Sequence, residues 1–261
     1  MTNSTMDRKI NFKKVAIHIS IAIFWLLVWQ VSAVLVNLRL DNGYALLPTP
    51  FLTIKALFSL MGKARFYKVV LYSLIRVVSG VFLGVIGGVL LAIASHYYPL
   101  LKKTLTPVIS IVKATPVVTF IVLLWISMSG NALTVFIAFL MVMPIMWQNI
   151  LDGYDAVPEE LNEVATVFEF SRLKRFKAVT LPCLLRFFFP ALITSIGLAW
   201  KAEIAAEIIA YTKVSIGQYI YDAKINLYND QVFAWIIVIA GFSILLEFVA
   251  KRLIRRYKNE H

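Results

Sequence analysis

Thirty-eight consecutive residues, Ala114 to Leu151, contain no Asp, Glu, Lys or Arg. Such a run cannot be the surface of a water-soluble domain, where roughly a quarter of residues are charged. Nor is it a single membrane crossing, since about 20 apolar residues already span about 30 Å of hydrocarbon. The turn-forming stretch Ser127-Met128-Ser129-Gly130-Asn131 divides it into two spans. Two further uncharged runs, Val15–Leu38 and Val77–Leu101, read the same way. Val31-Ser32-Ala33 resembles a leader-peptidase site, but the apolar stretch is long for a signal sequence and is kept as a span. A lipid-exposed backbone must bond within itself. The expected fold class is therefore all-α: a polytopic membrane protein with six transmembrane helices in one domain covering residues 1–261. The spans fall at about 15–36, 69–96, 105–127, 131–151, 188–211 and 231–252.

Composition agrees, with 60% hydrophobic and 15% charged residues. The net charge of +12 fits either a nucleic-acid binder or the cytoplasmic edge of a membrane protein, and placement decides between them. With the N-terminus inside, the inner segments carry sixteen of the 26 Lys and Arg residues. These are Arg8, Lys9, Lys13 and Lys14; Lys102 and Lys103; Arg172, Lys174, Arg175, Lys177 and Arg186; and Lys251, Arg252, Arg255, Arg256 and Lys258. The outer segments carry seven: Arg39, Lys55, Lys63, Arg65, Lys68, Lys213 and Lys224. Both termini are thus expected in the cytoplasm, and the basic excess signals orientation in a lipid bilayer rather than a nucleic-acid partner. The lone Cys183 excludes an intrachain disulfide framework and reads as a buried apolar-like residue. No glycine-rich loop ending in Lys-Ser/Thr and no Ser/His/Asp set is present, and His18, His96 and His261 are scattered. No catalytic residue, metal or cofactor is expected on this chain.

Two connections are long. In the outer one, Pro48-Thr49-Pro50 precedes an amphipathic stretch, Leu52–Met61, expected as a short surface helix. The inner one, residues 152–187, opens a helix at Pro158-Glu159-Glu160. Leu161, Val164, Ala165 and Phe168 give that helix one apolar face. Ser171 caps a second short helix bearing Arg172, Lys174, Arg175 and Lys177, which Leu181-Pro182 is expected to stop. By composition the pair is either a docking knob for another protein or a hairpin resting on lipid headgroups.

Within this loop Glu163-Val164-Ala165, three residues, Glu169, nine residues, Val179, one residue and Leu181-Pro182 resemble the EAA loop of binding-protein-dependent ABC importer permeases. That pattern reads Glu-Ala-Ala, three residues, Gly, nine residues, Ile, one residue, Leu-Pro. Leu46–Pro50, Leu74–Gly80 and Gly197–Ile209 look like the nitrate/sulfonate/taurine-type branch. The resemblance implies a type I ABC importer permease fold and makes Glu163, Val164, Ala165, Glu169, Val179, Leu181 and Pro182 the loop that couples to a cytoplasmic ABC ATPase subunit. It implies ATP and Mg on that partner, an extracytoplasmic solute-binding protein, and residence in the bacterial inner membrane. The solute is expected to be a small anion such as sulfonate, nitrate or taurine; related permeases serve vitamin precursors. Glu169 stands where the family has a glycine, so either it adopts a left-handed backbone or the turn differs. One knob on six helices points to a homodimer around a central path. The rival is an ion-coupled secondary carrier with Glu203 and Glu207 as its relay.

Ionisable residues inside the membrane are either path residues or structural pairs. Glu203 and Glu207 share a face of span five, while Lys201 points nearly the opposite way. Arg76 lies at a similar depth and is expected to pair with one glutamate as structural glue. Trp200, Lys201, Glu203 and Glu207 are taken as candidates for the translocation path, with Lys201 facing an anionic solute. Lys113, Thr115 and Pro116 join them near the inner gate, although Lys113 can equally snorkel to the interface. Pro107 begins span three, Pro116 is expected to kink or break that helix, and Pro144 is an expected kink in span four. Gly80, Gly84 and Gly88 form a small-residue stripe for helix packing, within the chain or at a dimer interface.

Overall fold

The uncharged runs of the sequence fold largely as helix in the computed structural model, which describes residues 12–38, 46–128 and 130–259. Arg8, Lys9, Arg39, Ser129 and His261 lie outside the described residues, as do the side chains of Lys13, Lys14, Arg256 and Lys258. The chain divides into two units, Met1–Gly62 with Ala223–Trp235 and Lys63–Asp222 with Ile236–His261.

In the first unit α1 (Phe12–Leu38) is apolar on all sides and exposed along most of its length, as a helix facing lipid should be. Two polar side chains toward its C-terminal end anchor it to the following segment. Trp29 Nε1 donates to Pro48 O at 3.0 Å, and its ring stacks on Phe233 with centroids 5.8 Å apart. Asn37 Nδ2 donates to Leu47 O at 2.9 Å. The expected surface helix is α2 (Pro50–Met61), with Thr49 accepting from Leu52 N at its start and Pro50 in the first turn.

The second unit is built on α3 (Ala64–Tyr97), α6 (Gly130–Asp155) and α9 (Leu181–Ile209). The glycine stripe is used inside the chain rather than between copies. A Cβ on Gly80 would collide with Ala138 and Val135 O; one on Gly84 would lie 2.6 Å from Val142 Cβ; one on Gly88 would lie 2.6 Å from Met146 Cβ. These three positions let α3 and α6 approach backbone to backbone, the usual route to tight packing where no hydrophobic force separates protein from lipid.

Three expectations are corrected. The span placed at 105–127 is two helices, α4 (Pro99–Ala114) and α5 (Val117–Trp125), meeting at 99°. The break is at Thr115-Pro116, where proline disfavours helical backbone in its predecessor; Thr115 has φ −83° and ψ 132°. Pro107 and Pro144 lie within α4 and α6 without ending them. Among the described residues five helices are long and apolar enough to cross a membrane, or six spans with the bent pair counted as one.

The second correction concerns Leu181-Pro182, which stops nothing. After α7 (Glu159–Val167) comes α8 (Arg172–Arg175), then a π-turn, Phe176–Thr180, that runs directly into α9. Arg172–Ile209 is one 38-residue helical stretch. Leu181 N bonds Phe176 O, five residues back. The wider turn accommodates Pro182, which lacks the N–H that a regular helix would use there. Third, Cys183 is half-buried rather than a core residue.

The remaining helices are α10 (Ile216–Ile225) and α11 (Asn229–Asn259).

Candidate functional site

Charge inside the second unit converges where α3 and α6 begin and α9 ends. Arg76 Nη1 lies 2.8 Å from Glu207 Oε1, with both side chains buried. Ser73, one turn before Arg76 on the same face of α3, donates from Oγ to that oxygen at 2.7 Å. The other oxygen, Glu207 Oε2, accepts from Gly217 N at 3.0 Å. Gly217 has to be glycine, because a Cβ would run into Glu207 and the backbone of Ile208.

The rest of the guanidinium is spread over three partners. Arg76 Nε donates to Asn131 Oδ1 at 2.8 Å, and Nη2 donates to the carbonyls of Lys213 and Val214 at 3.1 and 3.2 Å. The last contacts hold a strained loop: Tyr211 and Val214 have φ of 49° and 51°, and a β-branched residue such as Val214 seldom enters that region. Ile216 N donates to Ser73 Oγ at 3.1 Å, and Ser215 Oγ accepts from Gln218 N at 2.9 Å. Arg76 therefore ties α3, α6, α9 and the first turn of α10 into one network.

Of the other candidates on α9, Glu203 is buried beside Glu207 and Arg76, whereas Trp200 and Lys201 stand apart from the network. Glu203 is fully buried, and neither of its oxygens has a hydrogen-bond partner among the described residues. Trp200 is also fully buried, with Nε1 donating to Ile239 O at 3.0 Å. Lys201 alone is exposed. The structure thus separates Lys201 from Trp200, Glu203 and Glu207, which are interior groups and line no open surface of the chain. Lys113 and Pro116 are exposed at the α4–α5 break, and Thr115 Oγ1 donates back to Ile111 O at 2.8 Å.

At the opposite end of these helices Lys102 pairs with Asp155 at 3.0 Å, and α7 and α8 form the knob. Glu169 has φ 51°, Phe170 N bonds Ala165 O at 2.9 Å, and Glu169 N bonds Thr166 O at 3.0 Å. This pair of bonds is a complete Schellman motif with glutamate in the glycine position. Arg175 Nε and Nη2 both donate to Asn162 Oδ1 at 3.1 Å, bracing α8 against α7. Ala165 and Val179 are buried, whereas Leu161, Val164, Phe168 and Leu173 stand exposed. Val167 is 79% exposed, so apolar side chains surround the tip.

Residues 80–259 match the family of binding-protein-dependent transport system inner membrane components. The chain belongs to that family. This inner membrane component is 30% identical over 192 residues to the nitrate import permease protein of Leptolyngbya laminosa, covering 70% of this chain and 67% of that one. It is 31% identical over 179 residues to the bicarbonate transport system permease protein of Synechocystis sp., covering 68% and 64%. To the taurine transport system permease protein of Escherichia coli it is 27% identical over 222 residues, covering 82% and 80%. The match thus spans about two thirds of the first two relatives' length. Among solved structures, a chain of an amino acid ABC transporter crystallised with histidines superposes with TM-score 0.60 at 17% identity, covering 82% of this chain and 100% of that chain. A chain of the inward-facing MetNI methionine ABC transporter gives TM-score 0.55 at 14% identity, covering 73% and 93%. The inner membrane component shares their fold.

Sequence reasoning missed Ser73, Asn131 and the backbone of 213–217. Ser73 was within reach, three residues before an intramembrane arginine on the same helix face. Asn131 and Gly217 carry no local signal, because their partners lie 55 and 10 residues away.

Proposed function

We propose that the chain is the transmembrane permease subunit of an ATP-driven ABC importer that moves a small anion delivered by an extracytoplasmic binding protein. The family match supports the importer role. The observation that carries the coupling mechanism is the knob: an exposed apolar crest on α7, fixed by a Schellman turn and by the Arg175–Asn162 brace to α8, which is helically continuous with α9. A partner ATPase, holding ATP and Mg, takes Leu161, Val164 and Phe168 into a cleft, around the Glu163-Val164-Ala165 and Glu169 segment. Closing of two ATPase subunits then moves two knobs, so the permease acts as a homodimer and α9 passes the motion to its far end. Val179, Leu181 and Pro182 lie at the joint.

Relatives named for nitrate, bicarbonate and taurine import support an anionic solute. Lys201, an exposed cation within α9, is the residue we place on the path, with Lys113, Thr115 and Pro116 at the inner break. Both termini face the cytoplasm. Reconstitution with the ATPase and binding protein tests this reading. Uptake should require ATP and both partners and survive collapse of ion gradients. Leu161→Asp with Phe168→Asp should abolish ATPase association while the permease still folds. Uptake driven by an ion gradient without partner chains would establish a secondary carrier instead.

A further inference from the structure

Beside the Arg76 network, between the start of α6 and the loop after α9, lies a cavity of about 510 Å³. Tyr72, Arg76, Asn131, Thr212 and Lys213 contribute to its wall, and no acidic side chain does. We propose that this cavity binds one small oxyanion of the nitrate, bicarbonate or sulfonate class at the outer mouth of the transport path. The outer placement and solute class rest on the importer reading; the anion selectivity rests on the cavity itself.

Hydrogen-bond bookkeeping leaves the wall rich in donors. Arg76 Nε donates to Asn131 Oδ1, which fixes the amide and leaves the two N–H groups of Nδ2 for another acceptor. Thr212 Oγ1 is buried without a partner among the described residues and is closed off from the cavity, so the donors that face it are those of Asn131 and Lys213. Lys213 is exposed and makes no ion pair among the described residues.

The electrostatics carry the same sign. Glu207 neutralises Arg76, yet Arg76, Ser73 and Gly217 N occupy both of its oxygens. Glu203, buried beside Glu207 and Arg76, does not line the cavity, and Lys213 is the cation on its wall with no ion pair among the described residues. The 26-residue helix α6 begins at Gly130 on the cavity wall, adding the positive end of its dipole. Gly130 is left-handed, with φ 57°, and a Cβ there would meet nothing within 4 Å among the described residues. The strained backbone at Tyr211 and Val214, clamped by Arg76 through the carbonyls of 213 and 214, presents the Lys213 side chain. Strain held in place by its surroundings is typical of ligand clamps.

A phospholipid phosphate shares this chemistry, so the test separates the two sources. The full-length permease is placed in nanodiscs of phosphatidylcholine, and acylation of Lys213 by an amine-reactive ester is followed by mass spectrometry. Nitrate, bicarbonate and methanesulfonate are titrated against gluconate at constant ionic strength. At least one should slow acylation saturably, by fivefold or more, and Asn131→Asp, which keeps the acceptor for Arg76 and removes the Nδ2 donors, should weaken that protection about tenfold. Equal rates in all four anions overturn the proposal. So does protection by added phosphatidylglycerol that the oxyanions fail to displace, which assigns the cavity to lipid. In the reconstituted importer Lys213→Gln should raise the half-saturating solute concentration about tenfold with little change in maximal flux, and unchanged half-saturation also counts against it. Absence of wild-type ATP-driven uptake with protection intact sinks the importer reading and leaves the anion site standing.

Discussion

Glu207 accepts from a charged guanidinium, a hydroxyl and a backbone N–H, and no neutral side chain reproduces that set. Glu207→Gln keeps one acceptor oxygen and turns an N–H₂ group toward other donors. It should cost about 1.5–3 kcal/mol, the range for a hydrogen bond to a charged group, read as a lowered unfolding temperature in nanodiscs. The reversed pair, Arg76→Glu with Glu207→Arg, should recover nothing over either single change. A swapped arginine would face Gly217 N–H, and a swapped glutamate would face the carbonyls of Lys213 and Val214. Recovery by the swap would mean that the pair acts by charge alone. Residue letters and a rise of about 1.5 Å per residue placed Arg76 and Glu207 at one depth. The carbonyl and amide partners were illegible, because backbone groups carry no letter. Glu169 was half legible: the motif's glycine left two outcomes open, a left-handed glutamate or a different turn, and the structure shows the left-handed glutamate. Glu169→Gly should relieve about 1 kcal/mol of backbone strain, measured as slower hydrogen exchange of the α7 amides. Faster exchange would show that the carboxylate stabilises the turn.

The elements divide by whether apolar periodicity or chain breaking defines them. Long uncharged runs announced α1, α3, α6 and α11 because nothing in them competes with lipid burial. The failures sit at prolines. Pro116 and Pro182 both follow helix, yet one breaks the path by 99° and the other is absorbed in a π-turn. The difference is the backbone available upstream: Thr115 is extended, whereas Phe176–Thr180 widen to five-residue bonding. Sequence periodicity does not register a one-residue widening, so α8 looked separate from α9. The π-turn also sets where the knob points, since one residue corresponds to about 100° of helix rotation. Deleting Ala178 should return the turn to regular α-helix and swing the crest of Leu161, Val164 and Phe168 away from its partner. Membrane insertion and thermal stability should be near wild type while ATP-driven uptake is lost. Uptake at wild-type rate would show that the knob's bearing does not matter to coupling.

At the scale of the molecule, the Lys63–Asp222 unit has two chemically different ends. One holds Lys102, Lys103, Arg172, Lys174, Arg175, Lys177 and Arg186 toward the knob; the other holds Lys63, Arg65 and Lys68 at the start of α3 and Lys213 on the cavity wall. Counting only Lys and Arg near span ends, the knob end is the more basic and should face the cytoplasm. That orientation is what allows an ATPase to reach the knob and a delivered solute to reach the cavity, so both assignments stand or fall with it. Replacing the lone cysteine, Cys183→Ser, permits a direct test. In intact cells a membrane-impermeant maleimide should label Lys68→Cys, which is exposed in the first turns of α3. Lys103→Cys and Lys177→Cys, at the knob end, should react only after the membrane is opened. The reverse pattern would put the knob outside, where no ATP-driven partner can meet it. Labelling of all three in intact cells would mean that the two ends are not on opposite sides of the bilayer, and the count of spans between them would have to change.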